Sequence, residues 1–358
     1  MPKRAETTYS RGVNMKSPSS TLLQLGWKPF FSNQLSAEED GRYRPVRVMS
    51  VHRGMVTVQG EGLEESLSSS LPVSKGAEDR PTVGDWLLVD RESRNLVRIL
   101  DRTSLFKRPA PGDDRRLQLI AANVDTLFVV TSCNRDFNVA RIERYLVVAR
   151  EVGVRPVLVL TKADLTTDPR SFLETARALQ PGLQVELING REPESVARLA
   201  AYCGVGDTVA LVGSSGVGKS TLVNTMRGSD SIATQAVRED DGKGLHTTTV
   251  REMHRLGFGP EGGGWLVDTP GMRELQMSEV TAGVAEVFED IVAITLQCRF
   301  TNCTHADEPG CAIKGAVAQG TLEPARLDRW RKLAFEDGLN TSVAESRRAR
   351  PKKVAKKK

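Results

Sequence analysis

The sequence lacks any long apolar run. No stretch of its 358 residues approaches the ~20 consecutive apolar residues of a membrane-spanning helix, so no membrane role is expected. The opening stretch MPKRAETTYSRG has basic residues but no apolar core behind them, which does not read as a secretory signal. There is no internal repeat. Cysteine is scarce, with five in the chain, and Cys133 and Cys203 stand alone as small hydrophobes. Without a secretory signal, the remaining three favour a metal over a disulfide framework. A basic excess is also missing from most of the chain. The last residues, RRARPKKVAKKK (347–358), hold eight basic residues and no acid, and subtracting them from the formal +5 leaves −3. Such a tail reads as a solvated, disordered end suited to a polyanion such as RNA.

At 39% hydrophobic and 27% charged, the composition is that of a soluble globular protein, and the length favours two or three domains. Residues 1–42 read as a partly disordered N-terminal extension containing one apolar segment, TLLQLGWKPFF. Residues 43–110 carry short alternating strands such as VRVMSVHRGMVTVQG and DWLLVD, separated by glycines and polar clusters. That pattern predicts an OB-type β-barrel, and an SH3-like barrel would look much the same. RPAPGDDRRLQL reads as a linker. Over residues 111–280, strands alternate with helices, predicting an α/β domain around a parallel sheet. Residues 281–340 read as a small helical domain ending in a helix over 324–337, and 341–358 as the basic tail.

Gly213, Ser214, Ser215, Gly216, Val217, Gly218, Lys219 and Ser220 fit G-x-x-x-x-G-K-[ST], between apolar TVALV and helical TLVNTM, which starts at Thr221. In such a loop, backbone N–H groups and the following helix N-terminus face phosphates. Lys219 would reach the β- and γ-phosphates, and the Ser220 hydroxyl would ligate Mg²⁺. Some fifty residues on, WLV runs into Asp268-Thr269-Pro270-Gly271. There the Asp268 carboxylate would hold the Mg²⁺ shell and the Gly271 N–H would sense the γ-phosphate. Between them, DDGKGLHTTTV (240–250) reads as a switch segment. Thr247 or Thr248 would reach the metal, with Thr248 favoured.

The strand VLVL ends in Thr161-Lys162-Ala163-Asp164, a [NT]-K-x-D sequence. Asp164 would accept from the guanine N1–H and exocyclic amine, a pattern that adenine lacks, and Lys162 would lie over the base. A wrong base leaves that carboxylate unpaired, which opposes an ATP-driven enzyme. Downstream, Cys298, Cys303, His305 and Cys311 supply three thiolates and an imidazole. That is a full tetrahedral set, as expected of structural zinc.

The order is therefore base reader, phosphate loop, switch, D-x-x-G, a circular permutation of the usual order. With a barrel before and a Cys/His cluster after, residues 43–340 resemble the RsgA (YjeQ/YloQ) family of ribosome-dependent GTPases. SSGVGKS, GLHTT and DTPGMREL carry the resemblance, and the family's own zinc spacing matches the Cys/His set. The resemblance implies an OB domain, a permuted GTPase domain and a zinc domain. It further implies slow GTP hydrolysis stimulated by the small (30S) ribosomal subunit and its rRNA, during late subunit maturation. The protein is then expected to be cytoplasmic and monomeric off the ribosome.

Thr161 stands where the family more often has asparagine, a change expected to weaken guanine binding without abolishing it. The closing base loop after VELI is represented only by Asn189-Gly190. Met272 occupies the position where many GTPases carry a water-orienting glutamine, predicting slow turnover. The resemblance makes His246 the candidate to orient water. An RNA-binding scaffold with a vestigial nucleotide site is the alternative, and intact Lys219, Ser220 and Asp268 oppose it.

Overall fold

Two short helices, α1 (Ser20–Gln24) and α2 (Pro29–Ser32), carry the apolar TLLQLGWKPFF segment into the core. Trp27 and Phe31 are buried, and Trp27 meets the Trp86 ring edge-on at 4.7 Å between centroids. The structure, a computed structural model, describes residues 20–72, 76, 78–110, 113–228, 251–257, 263–268 and 280–348. Helix α3 (Ala37–Arg42) starts with a capping box in which Ser36 and Glu39 satisfy each other's backbone N–H groups.

Five strands follow: β1 (Tyr43–His52), β2 (Met55–Gly60), β3 (Leu63–Ser68), β4 (Trp86–Asp90) and β5 (Leu96–Ile99). They pair antiparallel in the order β3-β2-β1-β4-β5. Alternate residues point inward, so Val46, Val48, Val56, Val58, Leu87 and Val89 form a core of their own. Each such side chain contributes roughly 1.5–3 kcal/mol on full burial. Opposite β2, strand β1 has a register shift between Val48 and Ser50. Beyond it, Ser50 and Val51 pair with a strand from the other end of the chain.

The expected linker is instead a hairpin, β6 (Leu105–Ala110) with β7 (Asp113–Ala122). Pro-Ala-Pro-Gly-Asp-Asp reads as irregular chain, but LQLIAA continues as a strand whose base is buried at Leu119, Ile120, Ala121 and Ala122. A two-stranded ribbon tolerates Pro109 because the ribbon has free edges.

The central sheet takes β8 (Thr126–Ser132), helix α4 (Val139–Glu151), β9 (Arg155–Thr161), α5 (Pro169–Arg177) and β10 (Gln184–Leu187). It continues through α6 (Pro193–Val196), β11 (Thr208–Val212), α7 (Lys219–Arg227), β12 (Arg251–Arg255) and β13 (Trp265–Asp268). The helix expected over ESVARLAAYC is only α6 followed by a 3₁₀ turn, Ala197–Tyr202. Strand order is β10-β9-β8-β11-β13-β12, parallel except for β12. Both faces are covered: Leu127, Val129, Leu158 and Leu160 enter one core, and Phe128, Val130, Val157 and Val159 the other. This explains the unbroken apolar runs. Strand β12 pairs with β13 on one side and with β1 on the other, so the two sets of strands form one mixed sheet.

Helices α8 (Thr281–Val287), α9 (Glu289–Thr295), α10 (Ala312–Ala318) and α11 (Pro324–Arg348) complete the chain. Helix α11 runs past the expected end at 337, so the start of the stretch read as a tail is helical. These helices are clamped to α4 by a buried network. The Glu143 carboxylate accepts from Arg329 Nε at 2.7 Å and Arg326 Nη1 at 3.2 Å, and Arg326 also pairs with Asp290 at 2.7 Å. Among the described residues, no helix is long and apolar enough to cross a membrane.

Candidate nucleotide site and metal centre

In the central sheet, chain order runs outward from β8 through β9 to β10, then returns to β11 on the other side of β8. That reversal makes the carboxyl ends of β8 and β11 a switch point, where open α/β sheets bind ligands. The phosphate loop follows β11 there. Gly213 has φ +147°, and a Cβ on it would stand 2.2 Å from the Val130 carbonyl oxygen, so only glycine fits against β8. Gly218, at φ +97°, turns the chain into α7. The Lys219 ammonium donates to the Gly213 carbonyl at 2.7 Å and also to that of Ser214. Ser215 and Gly216 are exposed, Val217 is buried, and Ser220 and Thr221 begin α7 half-buried.

The TKAD residues leave β9 on the same sheet edge, Ser132 of β8 pairing with Thr161 of β9. Lys162 adopts φ +57°, and a short 3₁₀ turn, Ala163–Leu165, holds Asp164 at the exposed rim. Thr161 is buried, and its hydroxyl lies 2.5 Å from the Val217 carbonyl and 3.1 Å from that of Thr131. A hydroxyl has one proton, so the shorter contact to the phosphate loop is the bond it donates. The Asn189-Gly190 loop leaves β10 beside β9. The Thr225 hydroxyl of α7 donates to the Gly190 carbonyl at 2.7 Å, tying that loop to α7. The three loops thus converge.

Asp268 ends β13 exposed on the same edge, beside β11. Its partner across on β12 is Glu252, and two residues along β12 the His254 imidazole is pushed below its ordinary value by burial and by Arg227, against the pull of Asp268 and Glu252. Met272, Gly271, His246, Thr247 and Thr248 lie outside the described residues.

The Cys/His residues form one cluster. Cys298 follows α9, Cys303 and His305 lie in the loop, and Cys311 caps α10; their ligand atoms all lie within 4.8 Å of one another. His305 Nδ1 stands 3.5 Å from Cys298 Sγ and 3.8 Å from Cys311 Sγ. A tetrahedral ion with Zn–S of about 2.3 Å and Zn–N of about 2.0 Å has S···N edges near ~3.5 Å, so the donor set fits the metal. The Ala312 N–H donates to Cys298 Sγ at 3.4 Å, and Arg331 donates to the His305 carbonyl at 2.6 Å, holding that residue at φ +61°.

The family model described as RsgA GTPase matches residues 99–278, about half of the chain. This chain belongs to the RsgA GTPase family. It is therefore a GTP hydrolase, and its TKAD stretch precedes its GSSGVGKS stretch in the chain. Similar relatives include the small ribosomal subunit biogenesis GTPase RsgA of Mesorhizobium japonicum, 48% identical over 335 residues, covering 92% of this chain and 93% of that one. The small ribosomal subunit biogenesis GTPase RsgA 2 of Vibrio parahaemolyticus is 44% identical over 342 residues, covering 95% and 92%. Among solved structures, YjeQ from Thermotoga maritima aligns at TM-score 0.58 and 26% identity, covering 82% of this chain and 98% of its own. YloQ, described as a circularly permuted GTPase, aligns at TM-score 0.56 and 23% identity, covering 86% and 97%. The last likeness is one of fold.

The structure brings the TKAD and GSSGVGKS loops singled out in the sequence to one sheet edge and gathers the Cys/His residues into one cluster. Sequence reasoning missed that Thr161 grips the phosphate loop, and it missed Arg141, whose guanidinium donates to Ser214 Oγ at 2.5 Å. An arginine in a helix's first turn with no acid beside it was the available signal.

Proposed function

We propose that this GTPase acts on the small ribosomal subunit late in its maturation, hydrolysing GTP to GDP and phosphate slowly alone and faster on the subunit, and assisting release of assembly factors. The observation that carries the reading is the Thr161–Val217 contact, which joins a guanine-type loop to a phosphate loop at one switch point. Its relatives' role in subunit biogenesis supports the partner.

In this reading Asp164 and Lys162 select guanine, and the backbone from Gly213 to Thr221 with Lys219 holds the phosphates. Ser220, Thr248 and Asp268 serve Mg²⁺, with Gly271 at the γ-phosphate. Met272 cannot polarise water, so turnover is slow and His246 orients the attacking water. Cys298, Cys303, His305 and Cys311 hold one structural zinc. The strands of residues 43–110 act as an OB-type barrel, residues 111–280 as the GTPase domain and 281–340 as the zinc domain. Barrel, zinc domain and basic tail contact rRNA. The protein works in the cytoplasm and is monomeric off the ribosome.

Cosedimentation with purified small subunits, comparing GDP with a non-hydrolysable GTP analogue, tests partner and switch together. Stronger binding with the analogue and GTP turnover raised by subunits are expected; nucleotide-independent pelleting with unstimulated turnover would favour a scaffold. Full stimulated turnover in His246→Ala would remove His246 from the mechanism.

A further inference from the structure

We propose that Arg141 is a phosphate-contacting residue of this GTPase, reaching the terminal phosphate of bound GTP from the side of β8. The inference rests on the guanine-nucleotide reading above.

Arg141 lies in the first turn of α4, where its own N–H donates to the Asn138 cap at 2.9 Å. That bond fixes the backbone, while the long side chain stays exposed at the switch point. Its guanidinium rests on the Ser214 hydroxyl, one residue after the glycine that opens the phosphate loop. A single neutral hydroxyl is a weak partner for a planar five-donor cation built to grip carboxylate or phosphate.

Other arginines of the same helix have acids. Arg144 pairs with Glu336 at 2.7 Å and Arg150 with Glu286 at 3.1 Å. Among the described residues, no carboxylate pairs with Arg141. Its position is also unfavourable for a cation, because a helix N-terminus carries positive partial charge and α4 has no acid in its first turn. Breaking such a local rule without compensation points to a functional site.

The loop gathers a second cation at the same place. The Lys219 ammonium sits on the carbonyls of Gly213 and Ser214, so two positive groups converge on two consecutive residues. A terminal phosphate would balance both, and a short swing from Ser214 brings the guanidinium to it. Such an arginine supplied in cis would stabilise the charge of phosphoryl transfer in a site whose glutamine position holds Met272.

The test compares Arg141→Ala and Arg141→Lys with the wild-type protein. Affinities for fluorescent GDP and for GMPPNP are measured by titration, with circular dichroism melts to verify folding. Loss of a charge-assisted contact predicts GMPPNP binding ~10-fold or more weaker in Arg141→Ala, with GDP changed less than ~3-fold. Arg141→Lys, retaining the charge without the fork, should fall between. Equal losses for both nucleotides would mean that Arg141 only shapes the loop, and no loss for either would mean that it stays on Ser214; each overturns the proposal. A wild-type protein that binds no guanine nucleotide would overturn the functional reading itself.

Discussion

The Thr161 hydroxyl donates to the Val217 carbonyl at 2.5 Å, so the first residue of the TKAD loop is a structural tie to the GSSGVGKS loop. The side chain is buried and turned away from the rim where Asp164 stands. Thr161→Val removes the donor and leaves a buried carbonyl short of a partner. GDP affinity is expected to fall roughly 10-fold, while Thr161→Ser stays near wild type. Titration with a fluorescent GDP measures both.

In the proposed reading Asp164 sets the base. Asp164→Asn replaces an acceptor with a donor facing the guanine N1–H and amine, and GTP binding should fall by at least ~100-fold. Xanthine offers a carbonyl in place of the amine, so XTP binding should rise in the same variant. Competition among GTP, ATP and XTP for the site reads both effects.

The Cys/His cluster predicts about one zinc per chain by elemental analysis. Cys298→Ser takes away a ligand that also accepts the Ala312 N–H, loosening the start of α10. Zinc content should fall, and the melting temperature should drop by roughly 4 °C or more. A strong chelator should expose the 298–311 loop to protease. Unchanged zinc content in Cys298→Ser would remove that residue from the set.

The clamp between α4 and the last helices is sensitive to acid. Burial acts to raise the Asp290 carboxyl, but the hydrogen bonds and charge of Arg326 outweigh it and hold the group below its ordinary 3.8. A depressed carboxylate stabilises the fold above its unfolded pKa and loses that contribution as pH falls through the folded value. Asp290→Asn should therefore be less stable than wild type at pH 7, and the gap should close below about pH 4. Urea midpoints at the two pH values check the sign. Glu143→Ala, which strands Arg326 and Arg329, should cost about 3–5 kcal/mol at pH 7.

Much of the candidate site was legible because the phosphate and guanine recognition proposed for it depends on local residue order. Gly213, Lys219 and Asp164 declare themselves through their neighbours. The β6–β7 hairpin did not, since its connecting sequence is rich in Pro, Gly and Asp, and the burial of Leu119, Ile120, Ala121 and Ala122 depends on tertiary packing. Thr161–Val217 and Arg141–Ser214 join residues 56 and 73 positions apart, and no local pattern reports such pairs. The helical TLLQLGWKPFF segment was visible as apolar, but its docking on Trp86 depends on tertiary packing.

Strand order also has a consequence in time. A chain made from its N-terminus completes β8, β9 and β10 while β11 and β13 are still to come. The TKAD loop is therefore synthesised on the first half of the sheet, and the GSSGVGKS loop arrives when β11 docks against β8. Asp268, at the end of β13, follows last. About three-quarters of the chain must therefore be made before the three stretches proposed to bind GTP can share one sheet edge.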